Sequence, residues 1–179
     1  RIQEMASTRT STYSPSDVNV VISQESTGLI HAIAGYAEDS HINVERDSET
    51  YEHVTGVDNI ATRVYKANTS GKVTVSLGQG SASNDILTML YLNDKASKNS
   101  SGLFTLTVKD GSGRSVAFAQ EAYIGVVPNS QYGNSLNNRD WVFHCTQMDD
   151  IIGGNSLISP EDVAAIQLLG GVVPSEWQA

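Results

Sequence analysis

Alternation of apolar and polar residues at period two, interrupted every few residues by glycine, asparagine or serine, is what most narrows the folds open to this chain. Lys72–Leu77 sets Val73, Val75 and Leu77 against Lys72, Thr74 and Ser76, and His41–Arg46 sets Ile42 and Val44 against Asn43 and Glu45. That period buries one face of a β-strand and leaves the other wet. Val18–Ser23, Leu29–Ala34, Tyr51–Thr55, Thr62–Ala67, Leu103–Val108, Ser115–Ile124 and Trp141–Cys145 read as further strands. Asn68-Thr69-Ser70-Gly71 predicts a hairpin turn between two of them, with Gly71 supplying a positive φ. The 22 Ser, 13 Thr and 12 Asn among 179 residues are what solvated strand faces and turns require. Seven or more short strands with one central helix describe an all-β chain with a flanking helix, a β-sandwich or barrel. Its expected core includes Val44, Val73, Val75, Leu77, Phe104 and Trp141.

Two segments carry helical signals. Ser83-Asn84-Asp85 predicts a capped start, with Ile86, Leu87, Leu90 and Tyr91 on one face. Ser159-Pro160-Glu161-Asp162 is a stronger start: a cap, then proline, then acids near the positive end of the dipole. Val163, Ile166 and Leu169 form its stripe, and Gly170-Gly171 ends a helix expected near 160–169. So short a helix is marginal alone in water and must dock on its own domain or a neighbour. The expected organisation is a flexible N-terminal arm at 1–17, a β domain at 18–146 and a C-terminal extension at 147–179. Residues 1–4 precede Met5 and are assigned no role.

Charge and motifs remove several function classes. Eleven basic against 20 acidic residues give a net charge of −9, a poor balance for gripping nucleic acid phosphates. One cysteine, Cys145, excludes an intramolecular disulfide framework. The N-terminus has no apolar signal-peptide core, and the richest late apolar run, Val163–Val173, falls short of the about 20 residues a bilayer needs. There is no glycine-rich phosphate loop, no Gly-x-Ser-x-Gly elbow and no His-Glu-x-x-His. His144 and Cys145 are adjacent in a strand, so they point to opposite faces and form no nucleophile–base pair. His41 and His53 near Glu45 and Glu52 suggest a metal site only superficially; polar strand faces account for them better. The expectation is no catalysis, no metal and no cofactor. Glu38, Asp39, Glu45, Asp47, Glu49, Glu52 and Asp58 stand against the single base Arg46. This acidic segment is either a solvated hairpin or a surface that repels an anion, and composition alone does not choose.

Five motifs occur in order: His41-Ile-Asn-Val-Glu-Arg46, Ser83-Asn84-Asp85, Gly102-Leu-Phe-Thr-Leu-Thr-Val-Lys-Asp-Gly-Ser-Gly113, Ala119-Gln-Glu-Ala-Tyr-Ile124, and Tyr132-Gly133 leading to Arg139-Asp-Trp-Val-Phe-His144. Together, from about Val18 to His144, they resemble the tail tube proteins of contractile-tailed bacteriophages, a family of small myophage structural proteins. The extension from Met148 onward departs from that pattern. The resemblance implies hexameric rings stacked into a tube, with two hairpins per subunit, near 41–46, 50–55, 62–67 and 72–77, closing an inner barrel. Asn43, Glu45, Asp47, Lys72, Thr74 and Ser76 are then the lumen-facing candidates. The connection from Asp47 to Ile60 is longer than a tight hairpin needs, so Glu49, Tyr51, Glu52, Gly56 and Asp58 are candidates for contact with the adjacent ring. The implied partners are further copies of the chain, tail sheath, baseplate and tail terminator proteins. DNA transits without specific binding, no membrane is involved, and the product is a virion tail assembled in the host cytoplasm. Two alternatives remain: an Hcp-like tube protein of a bacterial injection machine, and a monomeric β-sandwich binding module, for instance for carbohydrate.

Overall fold

The computed structural model describes residues 10–39 and 41–179; residues 1–9, the first part of the expected arm, lie outside the described residues. The strands are β1 (Val18–Gln24), β2 (Leu29–Ala32), β3 (Ile42–Arg46), β4 (Tyr51–Thr55), β5 (Ala61–Tyr65), β6 (Gly71–Leu77), β7 (Phe104–Asp110), β8 (Val116–Ile124), β9 (Arg139–Cys145) and β10 (Met148–Ile151). The helices are α1 (Ser83–Ser97) and α2 (Pro160–Leu168). Eight strands form one antiparallel sheet in the order β2-β1-β7-β8-β9-β6-β3, with β10 also on β8; β4 and β5 form a separate two-stranded ribbon. β9 and β10 follow one another along the same edge of β8, joined where Thr146 N donates to Glu121 O. Met148–Ile151 thus extends the sheet by a strand that alternation alone does not reveal.

The sheet curls until its two ends meet. Ile33 N donates to Val20 O, continuing the β1–β2 ladder, and within four residues the same segment is bonded to β6. There Gly78 N donates to Gly35 O and Ala37 N to Ser76 O, while Val20 N donates to the Tyr36 hydroxyl at 3.1 Å. The enclosed space holds one contiguous core, including Val20, Ile22, Val73, Val75, Leu77, Leu106 and Phe143. Phe104 and Phe143 meet edge to face with centroids 5.8 Å apart, a favourable quadrupolar arrangement. Leu87 and Leu90 of α1 plug one end, and Trp141 Nε1 donates to Asn84 Oδ1 at 2.9 Å, so the buried indole keeps its hydrogen bond.

Two local readings need correction. Ser83 does not cap α1: it is buried within the first turn, where its Oγ accepts from Ala34 N and lies 2.9 Å from His31 Nε2. The cap position falls to Ala82, which makes no side-chain bond there, and the hydroxyl of Ser81 just before it accepts from Ser83 N at 3.2 Å. Asn68–Gly71 is not a hairpin turn, because β5 pairs with β4 and β6 pairs with β3. The two expected hairpins are therefore nested into one arm: β3 and β6 form its root and β4–β5 its outer half. Gly71 does not adopt a positive φ; it begins β6, where the chains crowd together.

The C-terminal helix follows the sequence closely. Ser159 Oγ accepts from Asp162 N, Pro160 opens the helix, and Gly170 takes φ +85°. Gly171 N bonds to Ile166 O and Gly170 N to Gln167 O, the paired contacts of a Schellman ending. No residue of α2 is buried, and Leu168, Leu169 and Val172 project into solvent.

A Cβ on Gly71 would collide with Met148 Cε and stand 2.7 Å from Glu45 O. The methionine can swing aside, but the backbone oxygen cannot without moving β3. Gly71→Ala is expected to destabilise the subunit by about 1–3 kcal/mol, as overpacking does. Urea unfolding measures this, and Met148→Ala in the same chain should not restore the loss.

Candidate assembly interface

The arm leaves the barrel where β3 ends and β6 begins. Arg46 anchors it, pairing with Asp150 and donating to Thr69 O. Asp47, the lumen candidate nearest this point, lies past the end of β3; its Oδ2 accepts from Ser70 Oγ at 2.9 Å. Register is lost by one residue between the halves: Arg46 faces Gly71, whereas Tyr51 faces Tyr65. Beyond that break the ribbon touches little of the barrel, and every residue from Glu49 to Asn68 is exposed. Tyr51, Val54, Val57, Ile60, Val64 and Tyr65 thus project apolar surface into solvent. A lone two-stranded ribbon is marginal in water, so this one calls for a further surface against it.

The candidates for contact with the next ring sit on this ribbon. Tyr51 and Glu52 lie in β4, Glu49 just before it, and Gly56 and Asp58 in its turn. Gly56 N donates to Ile60 O and Asn59 N to Gly56 O, with Asn59 at φ 62°, a conformation its short polar side chain tolerates. Glu52 and Lys66 pair at 2.7 Å. The Lys66 ammonium holds the Glu52 carboxyl below its usual range, and Glu52, helped by Glu49, raises Lys66.

The remaining lumen candidates share one sheet face. Asn43 stands opposite Thr74 and Glu45 opposite Lys72, while Val44, Val73, Val75 and Leu77 turn inward. Phe104 and Trp141 are buried in the same core. Across β6, Lys72 faces His144, Thr74 faces Val142 and Ser76 faces Asp140, whose carboxylate accepts from Ser76 Oγ at 2.6 Å. His144 in turn stacks on Tyr123 of β8, with ring centroids 5.3 Å apart. Asp140, His144 and Tyr123 belong to this face and were missed as candidates. The inward Trp141, Phe143 and Cys145 were signal enough to place Asp140 and His144. His41 and His53 are not on paired strands, since β3 pairs with β6 and β4 with β5; His41 packs beside Tyr36.

The family model described as Bacteriophage PhiTE tail tube protein matches residues 10–153. Structural protein ORF10 of Pseudomonas phage KPP10 is 41% identical over 169 residues, covering 94% of this chain and 98% of that protein. Among solved structures, a chain of the anti-feeding prophage cap, which terminates that tube, aligns with TM-score 0.53 at 9% identity over 84% of this chain and 97% of its own. A chain of the native gene transfer agent virion gives 0.53 at 10% identity over 79% and 100%. A chain of the sheath–tube complex of an extracellular contractile injection system gives 0.51 at 10% over 78% and 91%. At these identities the likeness to the solved structures is one of fold.

Cys145 lies on the core side of β9 and is 2% exposed. Burial, with a smaller contribution from the charge of Asp47, pushes its thiol up to about 11. A thiol so held is protonated and inert near neutrality. The unfolded chain ionises it near pH 9, the folded chain only near 11. Its contribution to stability is therefore complete below about pH 9 and is lost as pH rises toward 11. Burial of the Tyr36 phenol acts in the same direction. The native protein should resist thiol labelling at pH 8 and label on denaturation, and Cys145→Ala should make the alkaline loss of stability shallower in urea titrations from pH 8 to 11.

Proposed function

The chain belongs to the bacteriophage PhiTE tail tube protein family, and on that premise we propose that it forms hexameric rings that stack into the conduit of a contractile tail, through which DNA leaves the virion. It is a structural component of the virion tail; its assembly in the host cytoplasm, its contacts with sheath, baseplate and terminator, and the absence of any catalytic role are parts of the same proposal. The observation that carries it is the arm itself, a β3–β6 ribbon whose outer half has no partner among the described residues of its own subunit. Side-by-side arms from six copies would pair edge to edge and close an inner barrel, removing the unpaired strand edges that otherwise template aggregation.

The wall chemistry suits that role. Asn43, Glu45, Lys72, Thr74 and Ser76 occupy the outer face of β3 and β6, with Asp47 at the root of the arm. Lys72 stands opposite Glu45 in the ladder, a base beside an acid on the same face. A wall rich in unmatched Lys or Arg would hold phosphates by releasing their counterions. Acidic and neutral side chains instead repel a duplex from all sides, over a range of about 8 Å at physiological salt. The outer half of the ribbon, with Glu49, Tyr51, Glu52, Gly56 and Asp58, would then reach the adjacent ring. A tube protein of an injection machine shares the fold, but the matching family and the 41% identical relative are of phage.

Electron microscopy of the purified chain should show rings or tubes. Glu45→Lys with Asp47→Lys should leave those tubes intact, make them retain double-stranded DNA in a low-salt pull-down, and slow genome delivery when supplied to a phage lacking the wild-type copy. Wild-type delivery with no DNA retained would place these residues away from the lumen.

A further inference from the structure

The two faces of the ribbon differ in chemistry. Tyr51 opposite Tyr65 and His53 opposite Arg63 share one face, and Glu52, Val54, Thr62 and Val64 the other. The Arg63 guanidinium lies 4.1 Å over the Tyr51 ring, and the two tyrosine rings are 5.6 Å apart. Neither ion pair among the described residues involves Arg63, and its face of β4–β5 carries no carboxylate. The tyrosine face is thus aromatic and cationic, fully formed and without a partner among the described residues. Tyrosine and arginine are the side chains in which interface energy concentrates.

A complementary surface lies elsewhere on the same subunit. The α1 end of the barrel is near Gln24 and Leu29; the opposite end, near Val18, is open as a concavity of about 620 Å³. Ile42, Val44, Val108 and Ala117 contribute apolar walls, and Glu38 and Asp39 stand exposed on the rim. Two other rim carboxylates are already engaged: Asp110 accepts from Ser112 and Asn155, and Asp150 pairs with Arg46. Glu38 and Asp39 are in no ion pair among the described residues.

We propose that the tyrosine–arginine face of the ribbon of one copy seats in the acid-rimmed mouth of a second copy, Arg63 against Glu38 and Asp39, with Tyr51 and Tyr65 over the apolar walls. This rests on the tube reading and names the surface that the ribbon meets. The two halves of the contact are different patches, so it is head-to-tail. Each copy offers both halves and the contact propagates from copy to copy, as a stack of rings requires. Charge matching sets the register, since a wrong pairing leaves like charges together.

The test uses the full chain under conditions in which the wild type forms tubes, read by sedimentation and electron microscopy. Arg63→Glu, and separately Glu38→Arg with Asp39→Arg, should each lower the yield of stacked tubes at least about tenfold, with the thermal midpoint of the isolated subunit unchanged. Combining all three substitutions should restore tubes to within about threefold of wild type. Tyr51→Ala with Tyr65→Ala should lose tubes without altering any charge. Wild-type tubes from Arg63→Glu, or a triple variant no better than its parents, would overturn the pairing and leave the tube reading standing. A wild-type chain that never leaves the monomer would defeat both.

Discussion

Closure of the sheet through residues 33–37 is the constraint on which the rest of the molecule depends. A few backbone hydrogen bonds, from Ile33 to β1 and from Gly35 and Ala37 to β6, bring together two edges that would otherwise be free. Closure creates an inside, and the inside is what gives the alternating strands a core to face. It also fixes where β3 and β6 stand, and hence where the arm departs. Loss of this seam would expose the faces of Val20, Val73 and Val75 together. It would leave α1, whose only deeply buried apolar side chains are Leu87 and Leu90, without a seat.

The same physics explains the division between a well-packed body and unfinished surfaces. Inside the barrel the polar groups are satisfied: Trp141 by Asn84, Ser83 by His31 and Ala34, Arg139 by the backbone oxygens of Gln131, Asn137 and Asn138. Outside it, the ribbon and the end of α2 carry large apolar side chains that stand exposed. The proposed stacking would use such surfaces, because strands and side chains buried between copies stand exposed in any one of them. Family membership and the geometry of the arm therefore point the same way from independent grounds.

Alternation made much of this legible in the sequence. Val73, Val75 and Leu77 against Lys72, Thr74 and Ser76 is a pattern that only one sheet face can satisfy, and β6 adopts it. The cap and stop of α2 were equally plain, because each rests on a local hydrogen bond, from Ser159 at one end and Gly170–Gly171 at the other. Pairing was not legible. Asn68–Gly71 has hairpin chemistry, yet β6 pairs with β3, a partner at least 25 residues distant that no local signal announces. Ser83 likewise has cap chemistry, but tertiary contacts to Ala34 and His31 draw it inward, and the cap position falls to Ala82, which makes no side-chain bond. On the ribbon, Tyr51–Thr55 lacks alternation because neither face is buried within the subunit.

Hydrogen exchange of the β4–β5 amides reads most directly whether the ribbon finds its partner surface only in the assembled tube. Exchange at Tyr51–Thr55 and Ala61–Tyr65 should be fast in the isolated subunit and slow at least about tenfold in assembled tubes, while β6 and β9 amides are protected in both. Ribbon amides that exchange at the same rate in subunit and tube would contradict it.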